Sequence, residues 1–220
     1  MKIKLLGAIV IAAAVALVGL GYAMGVGRFE PELELSHERF YAIKAVIRQT
    51  PDPVIVFGDS IVQGAPLPKM LCGHSVINAG VTGAAVEYFE RHAAELLGSS
   101  RPRLIVLAVG INNASPRAAK RFRSHYEETV AVLSRAAPVV VATITPVRSG
   151  AGSVGYDAKL VPSLNAVIKA TPNATNVIDL NEPLSAPDAT SDGIHLNEQG
   201  YALWMNAMVG GIRNTLGCTN

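Results

Sequence analysis

The sequence contains few charged residues and few aromatic residues. Charged residues make up 16% of the 220-residue chain and aromatic residues 5%, whereas hydrophobic residues make up 50%. A chain this apolar can bury a core, which excludes intrinsic disorder. A net charge of +2 supplies no strong field to attract nucleic acid, and the scarcity of aromatics argues mildly against an extended carbohydrate-stacking surface. We therefore expect a globular chain that does not bind nucleic acid.

Several familiar functional motifs are also missing. No CxxC motif and no His/Cys cluster suggests a metal site, and we expect neither a metal nor an organic cofactor. The GxSxG motif of ordinary α/β hydrolases is absent, because Val62 occupies the position of its second glycine. The only two cysteines are Cys72 and Cys218. An exported chain could join them in a disulfide, and two separate structural thiols are the alternative.

One hydrophobic run is much longer than the others, and it lies near the N-terminus. Residues 5–27 carry no charge, and as a helix they would span roughly 34 Å at ~1.5 Å per residue, enough to cross a bilayer. Lysines precede this run and acidic residues follow it, which directs the remaining chain out of the cytoplasm. Cleavage before Met24 is the alternative. Residues 1–27 are thus predicted to be a transmembrane anchor or a signal peptide, and the body to be membrane-anchored or secreted.

The remaining chain divides into a short lead-in and one domain. Residues 28–52 are predicted to form a tether followed by a helix that Ser36 caps and that runs to about Gln49. Residues 53–220 then alternate between apolar, β-branched runs and helical patterns. The predicted strands are Val54–Phe57, Val76–Ile77, Leu104–Val109, Val139–Ile144 and Asn176–Leu180. Strands without polar alternation are buried on both faces, so we predict a five-stranded parallel sheet in a three-layer α/β/α sandwich.

Helical periodicity fills the segments between these strands. The predicted helices cover residues 84–97, 116–135, 157–170 and 196–216, with Pro162 interrupting the third of them. The stretch Gly150–Gly155 is predicted to be a mobile loop, because three of its six residues are glycine. Trp204, the only tryptophan, lies on the last helix and is assigned to the core.

Polar residues gather directly after the predicted strands. Ser60 follows the first strand, Gly80 the second and Asn112 the third, and Asp192 and His195 follow the fifth after a loop. In open α/β sheets, ligands bind beyond the carboxyl ends of the strands. We therefore expect these five residues to meet at one edge of the sheet.

This combination of residue types suits nucleophilic catalysis. The Ser60 hydroxyl needs a base to take its proton, and His195 can be that base while Asp192 orients the imidazole. The N–H groups of Ser60 and Gly80 and the side-chain amide of Asn112 can then hold an oxyanion. Asp59, beside the serine, is interpreted as a helix cap or a brace of the loop rather than as a proton carrier.

Four short motifs carry a resemblance to a known family. They are GDS at residues 58–60, NAG at 78–80, GINN at 110–113 and DGIH at 192–195. In this order they resemble the blocks of the SGNH hydrolases, also called the GDSL esterase/lipase family. The resemblance implies a flavodoxin-like sheet and ester hydrolysis through Ser60, Gly80, Asn112, Asp192 and His195. The third block often ends in Asp in that family, and Asn113 here predicts altered hydrogen bonding around the site without loss of activity.

The resulting hypothesis is an extracytoplasmic serine esterase that acts through an acyl-enzyme. A body with few insertions leaves little chain for a lid or a deep acyl tunnel, so we expect a short acyl group, such as acetyl on a glycan or on a small molecule. The alternatives are a lipase or lysophospholipase, an acyltransferase that uses the same residues, and an inactive anchored glycan-binding module. The sequence gives no indication of the oligomeric state.

Overall fold

The structure of this chain is a computed structural model that describes residues 31–185 and 188–218. Helix α1 (Pro31–Gln49) leads into the sheet and begins earlier than the predicted cap Ser36. The predicted membrane segment, residues 5–27, lies outside the described residues. Within the described ranges, no helix combines the length and the hydropathy that crossing a bilayer requires.

The sheet contains six strands. They are β1 (Val54–Gly58), β2 (Met70–Leu71), β3 (His74–Gly80), β4 (Leu104–Ala108), β5 (Val139–Ala142) and β6 (Ala174–Ile178). Their order across the sheet is β2-β3-β1-β4-β5-β6. All neighbouring pairs are parallel except β2 and β3, which are antiparallel.

The parallel part of the sheet confirms the predicted architecture. Every residue of β1 and β5 is buried, as expected for strands that are covered on both faces of a sandwich. The predicted five-stranded sheet is nevertheless incomplete, because β2 adds a sixth, antiparallel strand at one edge. A strand of two residues leaves no periodic pattern in a sequence, which explains why it was not predicted.

Helices connect the strands. They are α2 (Ser60–Gly64), α3 (Val86–Leu97), α4 (Phe122–Ser134), α5 (Val161–Lys169) and α6 (Glu198–Leu216), with short 3₁₀ turns at Ile111–Asn113, Ala118–Arg121, Ala151–Ser153, Ala158–Leu160 and Pro183–Ser185. The prediction that Pro162 interrupts a helix is wrong. It lies in the first turn of α5, where a missing N–H costs nothing and a fixed φ favours the helix.

A disulfide joins the two cysteines, whose Cα atoms are 5.9 Å apart. Cys72 lies in the turn between β2 and β3, and Cys218 follows the C-cap of α6. Of the two possibilities that the sequence left open, the structure contains the bonded one. The bond closes a segment of 146 residues, so it ties the short edge hairpin to the last helix.

The core lies on both sides of the parallel strands. Its largest fully buried side chains include Trp204, Tyr126, Phe57, Phe89 and Phe122. Trp204 is 1% exposed, which confirms its assignment to the core. The strands are thereby fixed in a rigid layer, and their carboxyl ends hold the polar residues described next.

Candidate active site

Ser60 lies at the tight turn where β1 gives way to α2. Glycine is needed at position 58, because a side chain there would overlap the Ala108 carbonyl oxygen of β4. Asp59 is the N-cap of α2 and accepts a hydrogen bond from the Ile61 N–H at 2.9 Å, which confirms its predicted capping role. Burial raises the pKa of Asp59 to about 7. The turn presents the half-buried Ser60 at the carboxyl end of β1.

A chain of two hydrogen bonds connects Ser60, His195 and Asp192. The Ser60 Oγ lies 3.0 Å from the His195 Nε2, although 135 residues separate the two along the chain. The His195 Nδ1 lies 2.7 Å from the Asp192 Oδ2. The structure therefore brings together the serine, the imidazole and the carboxylate that the sequence singled out.

The Asp192 carboxylate also closes the turn that carries His195. Its Oδ1 accepts the backbone N–H groups of Ile194 at 3.0 Å and of His195 at 2.8 Å. The hydrogen bond from His195, together with these two backbone bonds, lowers the pKa of Asp192 to about 2. An ionised carboxylate therefore stands behind the imidazole at neutral pH. The His195 side chain is 48% exposed, so the site is shallow and open to solvent.

Asn112 lies in the 3₁₀ turn that follows β4, close to the loop before α3. Its Nδ2 donates to the Ala84 carbonyl oxygen at 2.9 Å, and its Oδ1 accepts a hydrogen bond from the Tyr156 hydroxyl at 2.8 Å. An amide nitrogen carries two hydrogens, so one N–H of Asn112 remains available to a ligand.

The structure does not support Gly80 as an oxyanion donor. Its N–H already donates to the Asn78 Oδ1 at 3.0 Å, and the residue is buried. Any side chain at Gly80 would overlap the backbone of Gln63, so this glycine allows β3 to pack closely against α2. This corrects the prediction for Gly80, whose role is in packing.

Gly83 is a candidate donor that the sequence reasoning missed. It is exposed, has a φ of +73°, and no heavy atom lies within 4 Å of where a Cβ would stand. Its N–H has no acceptor among the residues that the structure describes. The next residue, Ala84, is bonded to Asn112, so the free N–H of Gly83 belongs to the same edge of the site. The signal available in the sequence was a second glycine three positions after Gly80.

A family comparison agrees with this geometry. The family model for the GDSL-like Lipase/Acylhydrolase family matches residues 56–203. The chain belongs to this family. The match includes every residue of the serine–histidine–aspartate chain, and membership supports ester hydrolysis as the class of reaction. No curated protein matches the chain.

Solved structures share the fold of this acylhydrolase at low sequence identity. A protein from Streptococcus pneumonia named for platelet activating factor is 18% identical, with a TM-score of 0.70, covering 84% of this chain and 97% of its own. The lipase/acylhydrolase from Enterococcus faecalis is 24% identical, with a TM-score of 0.62, covering 74% and 96%. The acetyl xylan esterase AlAXEase is 20% identical, with a TM-score of 0.62, covering 73% and 99%.

A helix outside the predicted motifs braces the glycine segment of the acylhydrolase. The Arg39 Nε of α1 donates to the Gly80 carbonyl oxygen at 2.9 Å, and its Nη2 donates to the Asn78 carbonyl oxygen at 2.8 Å. The guanidinium thus fixes the end of β3 on which the loop to Gly83 is built. No sequence motif marks Arg39, because its partners lie about forty residues away.

Within residues 31–185 and 188–218, no group of three or more His, Cys, Asp or Glu side chains could hold a metal ion.

Proposed function

We propose that this acylhydrolase is a serine esterase in which Ser60 is the nucleophile. The observation that carries the proposal is the continuous hydrogen-bonded chain from the Ser60 hydroxyl through His195 to Asp192. His195 has one ring nitrogen directed at the serine and the other at an ionised carboxylate. This arrangement keeps the serine-facing nitrogen free of a proton and able to accept one.

The reaction proceeds in two halves. The Ser60 Oγ attacks the ester carbonyl carbon while His195 takes the hydroxyl proton, and His195 then gives that proton to the leaving alcohol. The acyl group is left on Ser60 as an ester. In the second half, His195 takes a proton from water, the hydroxide attacks the acyl carbon, and Ser60 recovers its proton. Asp192 holds the imidazole and stabilises its charged form in both halves.

Three donors are proposed for the oxyanion of the tetrahedral intermediates. They are the N–H of Ser60 at the start of α2, the N–H of Gly83 and the second side-chain N–H of Asn112. Each is supported by the lack of another acceptor for that hydrogen among the described residues. Donors that are already fixed in place require no reorganisation when charge develops.

A short acyl group is the proposed substrate feature. The His195 side chain is 48% exposed, which places the catalytic chain at an open surface. An acetyl xylan esterase is also among the structural neighbours. These two observations favour an acetyl ester of a glycan or a small molecule.

The proposed location is outside the cytoplasm, with residues 1–27 acting as a membrane anchor or a cleaved signal. The disulfide between Cys72 and Cys218 supports this proposal, because such bonds persist in oxidising compartments and are rare in the cytosol.

Hydrolysis of p-nitrophenyl acetate and p-nitrophenyl decanoate by the full chain tests the proposal. We expect faster turnover of the acetate than of the decanoate, and loss of both activities in Ser60→Ala. The control Ser99→Ala removes the hydroxyl of an exposed serine that is not part of the candidate site, and it should retain both activities. Preference for the decanoate would favour a lipase or lysophospholipase. Acyl transfer to an added alcohol in preference to water would indicate an acyltransferase. Glycan binding without turnover in the parent would indicate a binding module.

A further inference from the structure

The loop between β5 and α5 contacts the candidate site at two points. The N–H of Gly152 donates to the Asp192 carbonyl oxygen at 2.9 Å, and the N–H of Asp157 donates to the Ala114 carbonyl oxygen at 2.7 Å. The first contact holds the loop against the His195 turn, and the second holds it beside the 3₁₀ turn of Asn112. The stretch Gly150–Gly155, which was predicted to be a mobile loop, is therefore part of a strap, residues 150–157, that is hydrogen-bonded to Asp192 and to Ala114.

Tyr156 is the side chain of this strap that reaches the Asn112 amide. Its hydroxyl lies 2.8 Å from the Asn112 Oδ1, and 44 residues separate the two along the chain. Burial raises the pKa of Tyr156 above its ordinary value, and the negative charges of Asp59 and Asp192 raise it further. The hydroxyl therefore carries its proton at neutral pH and can donate it to the amide oxygen.

The Asn112 amide is consequently held at two of its three polar positions. The Ala84 carbonyl oxygen can only accept, so it fixes which end of the amide carries nitrogen, and Tyr156 fixes the oxygen end. A planar group held at two positions presents its remaining N–H in one direction. A hydrogen bond accepted by the amide oxygen also polarises the amide and strengthens the hydrogen bond that this N–H donates.

We propose that Tyr156 is a positioning residue that orients the Asn112 amide toward the oxyanion, acting through Asn112 and not by contact with the substrate. This proposal rests on the proposed esterase function. If the proposal is correct, removal of the Tyr156 hydroxyl lowers the rate of ester hydrolysis only in a protein that retains the Asn112 amide. A structural role for the ring alone, or a direct contact with substrate, would not show that dependence.

The test is a double-mutant cycle with Tyr156→Phe and Asn112→Ala, measured as steady-state hydrolysis of p-nitrophenyl acetate. Tyr156→Phe keeps the ring and removes only the hydroxyl. We expect kcat to fall about 10-fold with KM changed less than about 2-fold, a smaller loss than the roughly 10²-fold or greater loss on removal of an oxyanion donor. In the Asn112→Ala background, Tyr156→Phe should change kcat less than about 2-fold. Tyr126→Phe, which removes a buried hydroxyl that has no partner among the described residues, is the matched control and should leave kcat unchanged.

A second readout does not depend on turnover. The side-chain amide resonances of Asn112 in the nuclear magnetic resonance spectrum should shift in Tyr156→Phe and stay in place in Tyr126→Phe. An unchanged kcat in Tyr156→Phe, or an equal loss with and without the Asn112 amide, would overturn the proposal while leaving the esterase intact. If the parent hydrolysed no ester, the proposed function would fail by itself. The amide resonances would then decide the positioning role, with unshifted resonances rejecting it.

Discussion

The side-chain amide of Asn113 donates to the Glu87 carboxylate, with its Nδ2 lying 2.9 Å from the Glu87 Oε2. The Oδ1 of the same amide accepts the Val86 N–H at 3.0 Å and so satisfies a free donor at the start of α3. Asn113 is fully buried. The residue that follows the proposed oxyanion donor Asn112 therefore fastens the loop after β4 to α3, and it does so with a donor that aspartate lacks.

Asn113→Asp should destabilise the fold in a way that depends on pH. The new carboxylate would face the Glu87 carboxylate without a donor between them, which raises the pKa of the pair. A raised pKa in the folded state gives stability that is present at low pH and lost as pH rises. We expect a loss of roughly 1–3 kcal/mol at pH 8 and much less at pH 5, measured by thermal unfolding.

The matched control for this variant exchanges the two partners. Asn113→Asp combined with Glu87→Gln restores one donor and one acceptor, so the melting temperature should recover most of the loss. Equal destabilisation at both pH values, with no recovery in the double variant, would contradict this account of the pair.

Asp59→Asn should remove a pH-dependent cost of folding. Burial raises the pKa of Asp59 to about 7, so folding favours the protonated form. Its contribution is favourable below the unfolded pKa near 4 and is lost as pH rises through about 7. Asparagine keeps an oxygen for the Ile61 N–H. Relative to the parent, we expect the variant to gain stability between pH 4 and pH 8, by at most about 4 kcal/mol. A constant difference between the two proteins across this range would disprove the assignment.

Reduction of the disulfide should lower stability without changing the site. Linking Cys72 to Cys218 restricts the unfolded chain, and loss of such a bond costs roughly 2–5 kcal/mol. We expect Cys218→Ser and the reduced parent to melt at the same lower temperature, with kcat on p-nitrophenyl acetate near that of the oxidised parent well below that temperature. A reductant that lowered the melting temperature of Cys218→Ser as well would show an effect unrelated to the bond.

Gly152→Ala should impair catalysis through Asp192. A Cβ at position 152 would overlap the Asp192 carboxylate, which must then move away from His195. We expect kcat to fall at least about 10-fold with little change in KM, since misplacement of a catalytic group costs rate rather than binding. Gly210→Ala adds the same methyl group to open space on α6 and should retain full activity. Equal activity of the two variants would contradict the proposed contact.

The sequence was sufficient to identify those site residues whose positions are determined by the ends of strands. Ser60 and Asn112 follow buried strands, and Asp192 and His195 follow the partly exposed strand β6 after a loop. Parallel strands bring such residues to one edge of the sheet without any knowledge of side-chain contacts. The fold class followed from the same buried, unalternating strands.

The features that sequence reasoning missed depend on contacts between distant segments. Gly80 and Gly83 look equivalent in a sequence, and only the Asn78 side chain decides which of them has a free N–H. Tyr156 and Arg39 act on partners about forty residues away, at a distance along the chain where no spacing rule applies. The Gly150–Gly155 stretch was predicted to be mobile from its glycines, whereas two of those glycines allow the loop to approach Asp192 closely.

Covalent labelling of the full chain with a fluorophosphonate tests the central claim most directly. The phosphorus reagent reacts preferentially with an activated serine hydroxyl and releases fluoride, leaving a stable phosphonyl ester. We predict a single adduct on Ser60 in the peptide map, no adduct in Ser60→Ala, and much slower labelling in His195→Ala. An adduct on another residue, or ester hydrolysis that persists while Ser60 remains unlabelled, would contradict the account of Ser60 as the nucleophile.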